Sequence, residues 1–278
     1  MGSNLEKFFL RMGTRVKVVE IASFRPRWQR MNSRREEIRV FLNIGRDKHG
    51  MFFEIRTIAG ANQELLVLNA DLRRKHLLLL SRQFDEQGKL QAKQKFLCGQ
   101  DEGHWFVAAI PEDQAVSTVA DAQIALKPEE VRTREEALGV TRKQGFRRRN
   151  AAFVRQGEWF FIPAGDIQTD PLRLLRNEPI SRGNGGKPHW AEQCYRMGGE
   201  TVYVSAKYPR GLTGTEYNRL PPSERNRGFR MMKRDATVYV RGEITHRDHK
   251  TVYLRTWHRV LMNTENRSKA MRFLTFLD

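Results

Sequence analysis

The histidines near the C-terminus are the residues best suited to chemistry. His246, Asp248 and His249 are almost adjacent, and His258 follows on the next predicted strand. A neutral imidazole is both a transition-metal ligand and a general base near pH 7, and a carboxylate complements it in either role. These four residues are therefore the candidate catalytic site, with a divalent metal ion as the candidate cofactor. Three other side chains could complete such a site: His189, Glu192 and Glu265.

No established catalytic motif accompanies these histidines. The sequence lacks a GxSxG elbow and a GxxxxGK[ST] phosphate loop, and neither Cys98 nor Cys194 has a histidine partner at a recognisable spacing. Ordinary turn chemistry also explains a His-x-Asp-His segment flanked by basic residues. We therefore expect a binding protein rather than an enzyme, with a metal-dependent nuclease or phosphodiesterase as the alternative.

The net charge indicates the kind of partner. The 278 residues include 50 Lys and Arg against 32 Asp and Glu, which gives a formal charge of +18. Such an excess of one sign opposes compaction by self-repulsion, and a polyanionic partner would neutralise it. We expect that partner to be nucleic acid, with RNA or single strands favoured, and the chain to be a subunit of a larger nucleoprotein assembly. A scaffold that binds an acidic protein is a further alternative.

Two segments combine basic with aromatic residues. Arg142 to Arg155 contains six basic residues and no acidic one, and Arg225 to Arg259 contains ten basic residues against three acidic ones. Guanidinium groups suit phosphate oxygens, and aromatic rings stack on bases. The candidate nucleic-acid contacts in these segments are Arg142, Lys143, Phe146, Arg147, Arg148, Arg149, Arg155, Arg241, Arg247, Lys250, Tyr253, Arg255, Trp257 and Arg259.

Two loops add candidate phosphate contacts. Arg25, Arg27 and Trp28 lie in an arginine- and proline-rich stretch, and Lys187 lies in the glycine-rich segment 182–189. Glycine-rich backbone can approach an anion closely and present its N–H groups to it. A flexible surface loop has the same composition.

The elements that must position these residues are mostly strands. Alternating and β-branched stretches predict hairpins over residues 37–58 and 77–97, a strand over 105–110, and strands within 153–162 and 201–206. The clearest hairpin covers residues 236–262, and on its second strand Tyr253, Arg255, Trp257 and Arg259 share one face. Residues 111–140 are acidic and read as helical, with prolines and acids at the helix starts.

These patterns predict an α+β fold of mainly antiparallel sheet, with several β-hairpins and few helices. They also predict two sub-domains, an N-terminal β-rich one over residues 1–140 and a basic C-terminal one over 141–278. No run of about 18 apolar residues and no apolar leader segment is present, so we expect a cytoplasmic protein without a membrane partner. Two cysteines are too few for a disulfide framework, which fits a reducing compartment.

Overall fold

The computed structural model describes residues 2–21, 40–181, 187–208, 211–226 and 228–268. Arg25, Arg27, Trp28 and most of the glycine-rich segment lie outside these ranges. The helices within them are α1 (Gly2–Met12), α2 (Val119–Ala125), α3 (Glu129–Ala137), α4 (Arg142–Gly145), α5 (Gly214–Asn218) and α6 (Pro222–Arg225). The strands are β1 (Arg15–Ile21), β2 (Val40–Asp47), β3 (Gly50–Ile58), β4 (Gln63–Asp71), β5 (His76–Phe84), β6 (Leu90–Asp101), β7 (His104–Ile110), β8 (Val154–Gln156), β9 (Trp159–Pro163), β10 (Leu175–Ile180), β11 (His189–Met197), β12 (Glu200–Val204), β13 (Leu212–Thr213), β14 (Arg230–Arg234), β15 (Thr237–Thr245) and β16 (Val252–Met262).

Two sheets and helix α1 share one core in the N-terminal part. One sheet has the order β1-β3-β2, with β1 and β3 parallel, and the other is the antiparallel meander β4-β5-β6-β7. Phe9 of α1, Phe53 of β3 and Leu79 of β5 meet in this core. The apolar residues of α1 recur at helical spacing, so the helix buries one face and leaves Leu10 exposed.

The continuous leucine run of β5 is explained by burial on both faces of the meander. Leu77 and Leu79 point into the core shared with α1, whereas Leu78 points to the opposite side and packs with α2. A strand covered on both faces needs apolar residues at every position, because its side chains alternate between the two faces. Helix α2 begins at a capping box formed by Thr118 and Asp121.

The C-terminal part contains a six-stranded sheet and a smaller one. The larger sheet has the order β10-β11-β15-β16-β9-β8, and the smaller has the order β13-β12-β14. Phe161, Cys194, Val240 and Leu254 form the core on one face of the larger sheet. Helix α3 packs against the other face through Val131, which contacts residues of a second cluster around Phe153.

The two parts are joined by more than the connecting chain. The segment after β16 returns to the N-terminal part, where the Thr264 hydroxyl donates to the Ala125 carbonyl over 2.6 Å. Arg267 pairs with Asp113 at 2.7 Å. The amino-terminal sheets and the six-stranded sheet therefore meet along a junction. None of the helices in the described ranges is long and apolar enough to cross a bilayer.

The predicted fold class is confirmed: the described chain is an α+β structure in which antiparallel sheet predominates and helices are few. The predicted hairpins form, as β2–β3, β5–β6 and β15–β16. Helix α1 and strands β4, β10, β11 and β14 were not predicted. The division at residue 140 stays a prediction.

One predicted feature of the last hairpin is wrong. The register of β15 against β16 shifts between Val240 and Gly242, where β16 carries two extra residues. This bulge interrupts the alternation, so Trp257 turns inward and is only 6% exposed, while Tyr253 stays at the surface. Tyr253, Arg255, Trp257 and Arg259 therefore do not form one regular exposed face.

Candidate histidine site at the junction of the sheets

Three hairpin turns from the two parts of the chain meet at the junction. The β6–β7 turn contributes Glu102, and the β8–β9 turn contributes Gly157 and Glu158. The β15–β16 turn contributes His246 and His249. Glu102 and Gly103 both have positive φ angles, 50° and 89°. Two-residue hairpin turns adopt such angles because the turn then matches the right-handed twist of the two strands that it joins. Glutamate is unusual at such a position, and its carboxylate points across the junction.

Glu102 holds the ring of His249. Its Oε2 accepts hydrogen bonds from His249 Nδ1 at 2.9 Å and from the Lys250 backbone N–H at 3.0 Å. Its Oε1 accepts from the guanidinium of Arg148. The carboxylate is buried between these donors and accepts from His249 Nδ1, so the neutral ring carries its proton on Nδ1 and has a lone pair on Nε2.

Gln156 holds the ring of His189 in the same way. The Gln156 amide donates from Nε2 to the carbonyl oxygens of Ile244 at 3.0 Å and Lys250 at 2.8 Å. Because both amide protons are used, the amide orientation is fixed and Oε1 faces His189 Nδ1 at 2.9 Å. His189, at the start of β11 and fully buried, therefore has its proton on Nδ1 in the neutral form of the ring, which leaves the lone pair on Nε2.

His246 has the opposite tautomer. Its Nδ1 lies 3.1 Å from the backbone nitrogen of Asp248 and accepts that N–H. The neutral ring therefore carries its proton on Nε2. Its ring stacks on that of His189 with centroids 4.2 Å apart, and on that of His249 at 4.7 Å. The cluster thus combines two acceptor nitrogens with one N–H donor.

The histidines of the β15–β16 turn are neutral at physiological pH. Burial is the main cause that lowers the pKa of His246 to about 4, and the adjacent rings of His189 and His249 add to it. Burial also lowers the pKa of His249, followed by the effect of His189, although the hydrogen bond to Glu102 acts in the opposite direction. Neutral rings keep their lone pairs available for a proton or a metal ion.

Basic side chains and an acid border the cluster. Arg155 lies 3.2 Å from Asp101, and Arg148 also pairs with this carboxylate. Burial alone would raise the pKa of Asp101, but the positive charges of Arg155 and Arg148 outweigh it and lower that pKa. Lys187 pairs with Asp248 at 2.7 Å. Much of the local positive charge is therefore already balanced within the protein.

The cluster opens into a cavity of about 620 Å³ between the two parts of the chain. The β15–β16 turn, the end of α4 and the edge of the meander line it. Phe146 lies in this wall with the guanidinium of Arg74 stacked 5.0 Å from its ring centroid. The basic residues in the lining are Arg46, Lys127, Arg147, Arg155, Lys187 and Arg247.

A second groove adjoins this cavity. It is lined by Arg148, Arg149 and Arg155 from one basic segment and by Tyr253 and Arg255 from the other. A guanidinium nitrogen of Arg149 donates to the Tyr253 carbonyl over 3.3 Å. Arg155 lines both the cavity and the groove, so the two depressions share a wall. The two basic segments, remote in sequence, therefore meet on one surface.

The structure brings together only some of the predicted catalytic residues. His246, Asp248 and His249 line the cavity. His189 lies behind them, buried against the rings of His246 and His249, and is not part of the lining. His258 is not among the residues that line the cavity, and its Nδ1–H donates to the nearby Thr256 carbonyl over 2.7 Å.

Several predicted nucleic-acid residues lie away from both depressions. Arg241 is held by Gln193 and stacks over the ring of Trp257, 4.8 Å from its centroid. Arg259 pairs with Glu130 of α3 at 2.6 Å. Arg142 and Lys143 lie on α4, outside the lining of either depression within the described chain. Lys250 contributes backbone contacts to the site.

Sequence reasoning missed the residues that orient the histidines. Glu102, Gln156 and Glu158 carry no motif, and each lies in a short hairpin turn far from the histidines in sequence. Their one shared signal is the turn glycine beside them, Gly103 or Gly157, each with a positive φ. Such a glycine identifies the turn but does not indicate which side chain crosses the junction.

Comparison with known proteins gives no relative: no family model, no curated protein and no solved structure matches the chain. The function must therefore be inferred from the chemistry of the site itself.

The buried position of Glu102 predicts that a Glu102→Gln substitution destabilises the protein more than the same substitution at an exposed glutamate. Replacing Glu102 by Gln removes one of the two carboxylates that pair with Arg148, and it is the more buried one, because the Glu102 side chain is only 8% exposed. We expect Glu102→Gln to lower the free energy of unfolding by about 1–3 kcal/mol. Glu130→Gln is the matched control, since Glu130 is 52% exposed in its pair with Arg259, and should change it by less than about 1 kcal/mol. Urea denaturation measures both, and equal effects would contradict the assignment.

Proposed function

We propose that this protein binds nucleic acid, RNA or single strands in preference to duplex DNA, along the junction between its two parts. The observation that carries the proposal is the convergence of the basic segments. Arg147 from the first segment and Arg247 from the second line the same cavity, and Arg149 and Arg255 line the adjoining groove. A continuous basic track of this kind follows a phosphate backbone.

The ion pairs indicate which basic side chains remain available to bind phosphate groups. Arg148, Arg155 and Lys187 are engaged with acidic side chains and serve to build the junction. Arg147, Arg247 and Arg255 form no ion pair with any residue in the described ranges. These three are the side chains that would exchange water and counter-ions for phosphate oxygens.

Aromatic residues on the same surface favour unpaired bases. Tyr253 is exposed in the groove beside Arg255, and Phe146 lies in the cavity wall beside Arg147. An exposed ring next to a guanidinium group can stack on a base while the cation binds the neighbouring phosphate. The long recognition helix that reads a major groove is absent from the described chain, where the longest helix is α1.

Removal of two available arginines tests this proposal. We expect Arg147→Ala/Arg255→Ala to raise the Kd for a single-stranded RNA about 30-fold or more, because each of the two charge-assisted contacts contributes about 1 kcal/mol or more. The slope of log K against log salt should fall in magnitude by about 1.4, or about 0.7 per phosphate contact. Fluorescence anisotropy over a salt series measures both quantities.

The matched control is Arg56→Ala/Arg230→Ala, which removes the same charge from residues that line neither depression. It should leave the salt slope almost unchanged. Binding of the parent protein that is insensitive to salt would overturn the proposal. Equal losses in the two double variants would show that only the net charge matters.

A second function, a nucleic-acid phosphodiesterase, is favoured by the position of the histidines. His246 and His249 line the same cavity as Arg147, Lys187 and Arg247. A phosphodiester bound there would face the acceptor nitrogen of His249 and the N–H donor of His246. The neutral imidazole of His249 can take a proton from an attacking hydroxyl group or water. The N–H of His246 can hydrogen-bond to the negative charge that develops on the phosphate, and the leaving oxygen takes its proton from water.

A cleavage assay separates this enzyme from a binding protein. We expect the parent protein to cut single-stranded RNA or DNA in the presence of Mn²⁺ or Zn²⁺, His249→Ala to lose that activity, and His258→Ala to retain it. The reason is that His249 faces the cavity whereas His258 does not. If His249→Ala cuts as well as the parent, or the parent cuts nothing, the phosphodiesterase assignment fails.

A further inference from the structure

Two imidazole nitrogens in the cluster are prepared as metal ligands. His249 donates its Nδ1–H to the Glu102 carboxylate and His189 donates its Nδ1–H to the Gln156 amide, both at 2.9 Å. Metal-binding histidines characteristically donate their other ring N–H to a carboxylate or carbonyl oxygen in this way. Each ring therefore presents an unprotonated Nε2, fixed in orientation before any ion arrives.

A carboxylate lies next to one of these nitrogens. Glu158 Oε2 is 3.7 Å from His189 Nε2. In the neutral His189 ring with its proton on Nδ1, the two atoms are both acceptors and cannot hydrogen-bond directly to each other. A cation between them would convert this repulsion into attraction. The Gly157 residue that precedes Glu158 also keeps the space open.

The space beside Gly157 would not accommodate a side chain. A Cβ atom built there would lie 2.8 Å from His249 Nε2 and 3.3 Å from His189 Cε1. The positive φ of Gly157, 58°, is required by the same turn. Three consecutive residues of one hairpin therefore shape the site. Gln156 orients the His189 ring, Gly157 leaves the space beside the two rings open, and Glu158 places a carboxylate next to His189.

We propose that His189, His249 and Glu158 bind a divalent transition-metal ion of the zinc class, with His246 beside it as a hydrogen-bond donor. Two imidazole nitrogens and one carboxylate oxygen suit Zn²⁺, Co²⁺, Mn²⁺ or Fe²⁺, whereas Mg²⁺ prefers oxygen ligands and retains its waters. Three protein ligands leave a coordination position open toward the cavity. The inference is independent of nucleic-acid binding.

His246 is assigned a different role because of its tautomer. Its Nδ1 accepts the Asp248 N–H, so its Nε2 carries a proton and offers no lone pair. To act as a ligand through Nε2, the ring would have to lose this proton or give up the contact with Asp248. As a donor, it can hydrogen-bond to water or an anion in the open coordination position.

Binding of the ion would draw the site together. The candidate nitrogen atoms of His189, His246 and His249 lie within 4.8 Å of one another. Two nitrogens at about 2.1 Å from a tetrahedral zinc ion are about 3.4 Å apart. The nitrogens of His189 and His249 would therefore approach each other by at most about 1.4 Å in total, which small side-chain rotations can supply.

Metal titration of the chelator-stripped full chain tests the inference without any activity assay. We expect Co²⁺ to bind stoichiometrically and give the visible absorption bands of a low-symmetry nitrogen and oxygen site. Zn²⁺ should bleach these bands by displacement, and a large excess of Mg²⁺ should not. Competition with a chromophoric chelator gives the zinc affinity.

Variants identify the ligands. His189→Ala and His249→Ala should weaken zinc binding by more than about 100-fold, and Glu102→Gln by about 10- to 100-fold because it orients His249 without touching the ion. His246→Ala should weaken it less than tenfold. Glu158→Gln should also weaken zinc binding, and it leaves both imidazole rings in place. This variant therefore still tests the site if a histidine variant does not fold. His258→Ala is the matched control and should bind as the parent does.

Two outcomes would overturn the inference. In the first, the parent protein gives no cobalt bands and binds zinc no more tightly than His249→Ala does. This result would indicate that His189 and Glu158 share a proton and not a metal ion. The second is a metal site whose affinity depends on His246 as strongly as on His249, because it would contradict the assigned tautomers. Failure of RNA binding would affect neither result.

Discussion

The contact between Glu102 and His249 is the interaction on which the candidate site depends. Glu102 belongs to the meander of the N-terminal part and His249 to the last hairpin of the six-stranded sheet, so their hydrogen bond crosses the junction. Glu102 adopts a left-handed backbone conformation that costs a non-glycine residue roughly 1 kcal/mol. Its carboxylate offsets this cost by accepting from His249, Lys250 and Arg148 at once. A buried carboxylate needs such donors, and the junction supplies all of them.

The surrounding fold makes this contact rigid. The meander is covered on both faces, by the core shared with α1 and by α2, so its β6–β7 turn projects from a well-packed base. On the other side, the Gln156 amide donates to the Ile244 carbonyl of β15 and to the Lys250 carbonyl of the β15–β16 turn, and so connects β8 to the last hairpin. His189, His246 and His249 thus stack against one another between two fixed walls. Rigid positioning of this kind is what a metal or acid–base site requires.

Much of the fold could be predicted from the sequence because its signals are local. Alternation and turn residues located the hairpins, and the acidic segment indicated α2 and α3. The predicted start at Pro128 is correct for α3, but α2 begins at Val119 behind its Thr118 cap and not at the first residues of the acidic segment. Helix α1 also carries a local signal, since Leu5, Phe8, Phe9 and Met12 recur at helical spacing and pack into the core. The bulge in β16 carries none, because the inward turn of Trp257 depends on its register against β15.

The site could be predicted only in part, because some of its residues come together only when the two parts of the chain pack against each other. The β15–β16 turn concentrates His246, Asp248 and His249 in a few residues, so residue type alone identified them. The partners that decide their tautomers are Glu102 and Gln156, which reach the histidines only after two sheets have packed together. Likewise, the basic segments could be identified from the sequence, but not which of their arginines form ion pairs. In the folded protein Arg148 and Arg155 pair with acidic side chains, whereas Arg147 and Arg255 form no ion pair with the residues that the structure describes.

The protonation pattern of the three rings tests this account most directly. Long-range proton–nitrogen correlation spectra of the ¹⁵N-labelled, metal-free protein at about pH 7.5 distinguish a protonated from an unprotonated ring nitrogen. The account predicts protonated Nδ1 and unprotonated Nε2 for His189 and His249, and the reverse for His246. Spectra in which His249 carries its proton on Nε2, or exchanges between tautomers like a free histidine, would contradict it.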